Sequence, residues 1–276
     1  MTAALERLLA GAAALFLTLT LPVAHAAQGG LNFGSDDNDK PIEVSADNGI
    51  EWEQEKKIFT ARGNAVAIQG ELTVKSDLLR AFYRPKPSGG GTDIFRLDAN
   101  GSVRITSPGE TATGDNAVYD LDKSVMILSG KNVRYATPED EITADRQIEY
   151  WEEKQMAVAR GNAIAVRQDR RIRADTLIAY FRTPTKANES KVDRVEAYDN
   201  VRIVTQTETI LASKGNYVPN TGIATLEGAV KITRGKNEMD SCRAEVNMKT
   251  GISKMLSCGP NDRPRGLLVP ESRNGK

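Results

Sequence analysis

The pentapeptide Ala61-Arg62-Gly63-Asn64-Ala65 returns letter for letter at Ala159-Arg160-Gly161-Asn162-Ala163, 98 residues further on. The offset holds well beyond it. Ala46-Asp47 maps onto Ala144-Asp145, Asp77 onto Asp175, Arg96 onto Arg194, Val103-Arg104-Ile105 onto Val201-Arg202-Ile203, Tyr119 onto Tyr217 and Gly130 onto Gly228. A chain that repeats itself over this span, almost without gaps, is a tandem duplication.

Inside each copy a smaller unit recurs: a small residue before Asp, a short polar stretch, then an apolar strand ending in Gly or Asn. Its starts fall at Asp47, Asp77, Asp115, Asp145, Asp175, Ser213 and Cys242, in steps of 30, 38, 30, 30, 38 and 29 residues. Periods in this range mean that one unit cannot bury its apolar face alone and must stack on its neighbours. Function in such a chain is expected along the stack. Aspartates that return in nearly every unit suit a structural role at a strand start, whereas a polysaccharide-active site on a β-solenoid needs a unique carboxylate pair.

The units read as strands. Ile42, Val44 and Ala46 alternate with Glu43, Ser45 and Asp47, the period of two of a half-buried strand. Leu97, Ala99, Gly101, Val103 and Ile105 do the same, as do Ala224, Leu226, Gly228, Val230 and Ile232. Turn signals such as Pro219-Asn220-Thr221-Gly222 fall between the runs, and no comparable stretch has helical spacing. In the first and fourth units the apolar parity slips across the Gly-Asn step, from Phe59 and Ala61 to Val66 and Ile68, and from Ala157 and Ala159 to Ile164 and Val166. One extra residue there is a β-bulge, and bulges repeated at one height curl the sheet into a trough. On strand parity, Phe59, Leu97, Val103, Ile105, Val195, Val201, Ile203, Leu226, Val230 and Ile232 are expected to face that trough.

The boundaries follow from composition. Residues 1–26 carry Arg7, an apolar run ending before Pro22 and the small-x-small site Ala24-His25-Ala26, which is a secretory leader too short to span a bilayer. Residues 27–40 form a polar linker, 41–138 and 139–258 the two copies, and 259–276 a mobile tail. Removing the leader takes away His25, the single histidine. What remains cannot build a Ser-His-Asp triad or offer imidazole to zinc, so neither catalysis of that type nor a metal site is expected. The 37 basic residues balance 37 acidic ones, which argues against a nucleic-acid partner.

Longer units contain loops, at Pro85 to Gly91 and at Pro184 to Lys191; Asn188-Glu189-Ser190 within the second matches a glycosylation sequon. Arg167, Arg170, Arg171 and Arg173 make the one local basic cluster. It reads either as a solvated turn or as a fork for phosphates or sugar acids. Cys242 and Cys258 are symmetric about Thr250, the middle of an expected turn, so hairpin pairing would set them opposite each other as a disulfide in an exported protein.

Pro41-Ile42-Glu43-Val44-Ser45-Ala46-Asp47, the Phe59-Thr60-Ala61-Arg62-Gly63-Asn64 step, the repeated Ala-Asp starts and Leu268-Val269-Pro270 resemble the LptA/OstA family of periplasmic lipopolysaccharide-transport proteins, over residues 41–270. The resemblance implies an all-β chain of antiparallel strands wound into an elongated open β-jellyroll, without enzymatic activity or cofactor. It implies that the inner face holds the acyl chains of lipopolysaccharide, and that the chain meets inner-membrane and outer-membrane transport components. Seven units exceed the number usual in that family. A stack open at both ends leaves unpaired edge strands, so docking and end-to-end self-association are expected near Ile42 and Val44 at one end and near Val246 and Ile252 at the other. A module that assembles envelope proteins through such edges, carrying no lipid, is the alternative.

Overall fold

The computed structural model describes residues 41–86, 89, 91–182 and 192–270. The expected leader, the 27–40 linker, the sequon and residues 271–276 lie outside the described residues. Among those described there are eighteen strands and no helix. The first strands are β1 (Glu43–Ser45), β2 (Ile50–Glu53), β3 (Ile58–Gln69), β4 (Leu72–Pro85), β5 (Thr92–Ser107) and β6 (Glu110–Asp120). At the centre lie β7 (Val125–Ser129), β8 (Val133–Ala136), β9 (Asp140–Ala144), β10 (Gln147–Trp151), β11 (Met156–Arg167) and β12 (Arg170–Phe181). The chain closes with β13 (Val192–Val204), β14 (Thr209–Val218), β15 (Ile223–Arg234), β16 (Asn237–Asn247), β17 (Ile252–Leu256) and β18 (Arg265–Leu267).

Hydrogen bonds join all eighteen into one sheet in which every pairing is antiparallel and the long strands pair with their sequence neighbours. Each long strand is interrupted at mid-length. The register breaks between Arg62 and Ala65, between Asn100 and Val103, between Arg160 and Ala163, between Tyr198 and Val201, and between Glu227 and Val230. The physical cause is a pair of consecutive left-handed residues: Gly63 and Asn64 (φ 76° and 44°), Gly101 and Ser102 (79° and 48°), Gly161 and Asn162 (85° and 47°). Glycine adopts that conformation freely and asparagine tolerates it, which is why the Gly-Asn step recurs.

Because every layer bends at one height, the sheet folds into two walls made of the two halves of the same strands. Wall one holds β2, the first half of β3, β7, β10 and β17; wall two holds β1, the second half of β3, β8, β9 and β18. Shorter strands are whole layers broken at the bend: β1 and β2 lie on the two halves of β3, and β17 and β18 on the two halves of β16. The result is an elongated open β-jellyroll.

The recurring aspartates sit at the bends. The Asp47 side chain accepts from Asn64 Nδ2 at 2.7 Å, Asp145 from Asn162 at 3.1 Å and Asp175 from Asn200 at 2.8 Å. Asp115 accepts from the Lys131 amide at 2.8 Å. Asp77 lies against Gly101, where an added Cβ would collide with its carboxylate. Each unit start thus braces the bend of a following layer. At the seventh start the residue is Cys242, and its partner is Cys258, bonded with a Cα separation of 6.0 Å.

One expectation fails. Within the tail expected to be mobile, Arg265–Leu267 pairs with Asp240, Met239 and Glu238 of β16, and the Val269 amide donates to Asn237 at 2.9 Å. Three exposed residues have no alternation to reveal them as a strand; they are ordered by the open ladder groups of β16.

Candidate functional site

The inner surfaces of the walls carry rows of side chains in cross-strand register. On wall one, Leu79, Ala99, Ala117, Leu128, Ile148, Ala159, Leu177, Ala197, Leu226 and Ala244 run beside the bend. Next to them run Phe59, Ala81, Leu97, Tyr119, Met126 and Tyr150, continued by Ala157, Ala179, Val195 and Tyr217. On wall two, Val74, Ile105, Ala112, Tyr135, Ile142, Ala165, Ile172, Ile203, Ile210 and Ile232 stand in register. Period-two alternation sends alternate residues inward, and unbroken pairing aligns them from strand to strand.

The ten residues expected to line the trough fall into two groups. Val103, Ile105, Val201, Ile203, Leu226, Val230 and Ile232 are buried in a common core. Phe59, Leu97 and Val195 share the inward parity but are half-buried. They stand in the wall-one row farther from the bend. The trough is not a hollow in this structure: side chains of the two walls fill it. A cavity lined by Ile172, Val195, Val201, Ile203, Gly215 and Leu226 measures about 20 Å³, room for about one water molecule.

Sequence reading missed the groups at the rim opposite the bend. The Tyr119 hydroxyl donates to Glu152 at 3.0 Å, and burial raises both the Tyr119 phenol and the Glu152 carboxyl above their ordinary ranges. Tyr135 is raised too, by burial and then by the neighbouring Glu110. Toward the C-terminal end Arg234 of wall two donates to Glu208 (2.7 Å), to the Gly251 carbonyl (2.7 Å) and to Ser253 of wall one (2.9 Å). Arg234 therefore clasps one wall to the other. The signal was present in part, since Glu110 and Glu208 are 98 residues apart.

At the N-terminal end β1 and β2 pair only with β3, leaving Ile42, Ile50 and Trp52 (63 % exposed) at the edge, with Val44 half-buried. At the C-terminal end Ile252 (66 % exposed) lies on the edge strand β17. Val246 does not lie on an edge. It is fully buried in β16, opposite Ala224 on one side and Ser253 on the other, because β17 returns to cover it. Asp262 stands close to the two cysteines, but their sulfurs are bonded to each other and not free as ligands. Within the basic cluster, Arg167 is spent on Glu139 (3.1 Å) and Asp140 (3.0 Å). Arg173 stands directly opposite Arg202 of β13.

Comparison with known proteins adds an independent observation. Over 100 residues the chain is 31 % identical to an uncharacterized protein of Rhizobium meliloti (strain 1021), a match that takes in 35 % of this chain and 53 % of that one. The chain thus spans about half the length of that relative. A crystal structure of LptH, the LptA-homologous periplasmic component of the lipopolysaccharide transport device from Pseudomonas aeruginosa, aligns with a TM-score of 0.22 and 10 % identity, over 86 % of this chain and all of that one. The LptA/(LptD N-terminal domain) LPS transport protein family matches twice, over residues 43–151 and 141–252, and with most of its length so accounted for the chain belongs to that family.

Proposed function

We infer that this chain carries lipopolysaccharide across the periplasm, shielding the lipid A acyl chains between its walls as one link of a bridge from inner to outer membrane. The observation that carries the reading is the continuity of the inner rows, which run from β3 to β16 with apolar residues in nearly every layer. Each buried methylene contributes about 0.8 kcal/mol, so a long apolar wall holds acyl chains without a deep pocket and lets them slide. Membership of the family supports the same cargo.

The edges suit a bridge. The N-terminal edge presents Glu43, with Glu51 and Glu53 paired to Arg62 and Lys56 beside it, whereas the C-terminal edge presents Lys254, Arg263 and Arg265. Opposite charge and unpaired ladder groups favour head-to-tail pairing of copies, and the inner- and outer-membrane components would meet the two ends.

A photo-crosslinker at Leu97, Val103 or Val201 is expected to label acyl chains, and one at Arg104 or Thr225 is not. Equal labelling of inward and outward positions would overturn the reading. Reversing Glu51 and Glu53 to Lys should weaken end-to-end association in light scattering, and a copy carrying Lys254→Glu and Arg265→Glu should restore it. The packed interior favours a second reading, a structural module joined through its edges. Mass spectrometry of lipids retained by protein purified from its own periplasm decides between the two.

A further inference from the structure

The walls treat their outward charges differently. On the outer face of wall one each central carboxylate is held by an arginine: Asp98 by Arg96 (2.7 Å), Glu149 by Arg160 (2.6 Å) and Glu196 by Arg194 (2.9 Å). Burial alone would raise Glu149 and Glu196, but the hydrogen bonds they accept outweigh it and hold both carboxyls below the ordinary range. On the outer face of wall two Lys75 of β4 stands directly opposite Arg104 of β5, and Arg173 of β12 directly opposite Arg202 of β13. All four are exposed, and among the described residues none has an ion pair or side-chain hydrogen bond. Like charges facing each other across a strand pair, with Cβ atoms about 5 Å apart, repel. The duplication repeats the arrangement in both copies.

The copies then diverge. Asp115 of copy one is replaced at its equivalent by Ser213, which removes one carboxylate from the bend, and Gly101 is replaced by Asp199, which adds one. Lys75 is replaced by Arg173, whose planar fork matches a phosphoryl group where an ammonium is only a point charge. Arg173, Arg202, Ser213, Leu211 and the backbone of Gly228 and Ala229 line a cleft of about 420 Å³ at the bend. The nearest carboxylate on the same strand, Asp175, is engaged by the Asn200 amide at 2.8 Å.

We propose that this cleft is a binding site for a phosphoryl group carried on the saccharide headgroup of lipopolysaccharide, with Arg173 and Arg202 as the paired donors. The choice of that source rests on the cargo reading above. A bare membrane surface is left to the test below, because the flanking Glu139, Asp140, Glu141 and Glu238 are already matched by Arg167, Arg134 and Lys231. A single phosphorylated sugar fits between them, with exposed Leu211 as an apolar flank for its ring. The bend is the closed side of the trough, because β11 to β16 run through it unbroken, so the phosphoryl group held here is one carried far enough out on the headgroup to reach round wall two from the rim.

Titration calorimetry on the full chain tests the proposal with four probes: lipopolysaccharide, the same material enzymatically dephosphorylated, its acyl-free phosphorylated oligosaccharide, and phosphatidylglycerol vesicles. The parent should bind lipopolysaccharide about tenfold more tightly than the dephosphorylated form, and Arg173→Gln/Arg202→Gln should abolish that preference. Lys75→Gln/Arg104→Gln, on the equivalent pair of copy one, should retain it and control for net charge. Equal affinity of parent and Arg173→Gln/Arg202→Gln for every probe overturns the site and leaves the cargo reading intact. Binding of the acyl-free oligosaccharide without binding of lipopolysaccharide keeps the site and sinks the cargo reading. Tightest binding to phosphatidylglycerol vesicles, or loss of the preference in both double variants alike, overturns the assignment.

Discussion

The two ends of the stack are built from the same unit and finished differently. At the C-terminal end Leu226, Ile232 and Val246 are wholly buried, Arg234 ties one wall to the other, and a disulfide joins Cys242 of β16 to Cys258 beyond β17. At the N-terminal end Phe59 is half-buried, Ile50 and Trp52 lie open, and the indole N–H of Trp52 donates to the Tyr83 hydroxyl on its own wall. A repeat stack gains little at a terminus, where the last layer has one neighbour, so an end either is capped or stays available for another chain. Here one end is pinned by a disulfide while its edge strand β17 stays open, and the other keeps exposed apolar surface next to unpaired backbone.

The contrast can be broken from the pinned end first. Leu226→Ala removes a fully buried side chain from a packed interior and should cost about 2–5 kcal/mol in urea unfolding, whereas Phe59→Ala should cost less than half of that. Similar losses at both would show that the ends are equally packed. Cys242→Ser is expected to lower stability by about 3 kcal/mol on the chain-entropy account of a loop with this sequence separation of 16. The same variant should raise proteolysis after β17 before anything at the N-terminal end is cut.

Arg234→Ala should cost about 2 kcal/mol, because it strands the buried Glu208 carboxylate and releases Ser253. The more informative readout is lipid uptake. If the clasp holds the rim shut, the variant should load lipid faster at the C-terminal layers, and unchanged uptake would assign Arg234 to stability alone.

The smallest effect is expected from pH. Burial raises the Glu152 carboxyl above its ordinary value of 4.5, with the Tyr119 hydrogen bond opposing in part. The folded state therefore binds this proton more tightly than the unfolded state. Its contribution is fully present below pH 4.5 and is lost as pH rises through the folded value. Relative to the parent, Glu152→Gln should gain stability above that window and show no advantage below it, measured as urea midpoints across pH. A flat difference would place Glu152 in open solvent.

Much of the fold was legible because its signals are local. Alternation in Leu97 to Ile105 and in Ala224 to Ile232 follows from side chains leaving a strand on opposite faces, and the parity slip at Gly63-Asn64 marks the bend because those two residues tolerate positive φ. Cys242 and Cys258 could be paired from their even count in a chain read as exported, but the register is one residue off the symmetry about Thr250, with Arg243 opposite Leu256, and the bond closes beyond the end of β17. Val246 was misplaced for the complementary reason. Whether a strand is an edge depends on what returns beside it, and nothing in Ala244 to Met248 records that β17 covers it.

By itself, then, the sequence determined a duplicated stack of antiparallel strands, the inward parity of each strand and the heights of the bends, all of which are properties of one strand and its turns. Only the tertiary structure decided that the walls meet and fill the trough, that Arg234 joins them, and that Arg173 faces Arg202 across 28 intervening positions while Arg194 finds Glu196 two residues away. Register between strands and contact between walls are set by the sum of many weak pairings far apart in the chain, and no short stretch carries that sum.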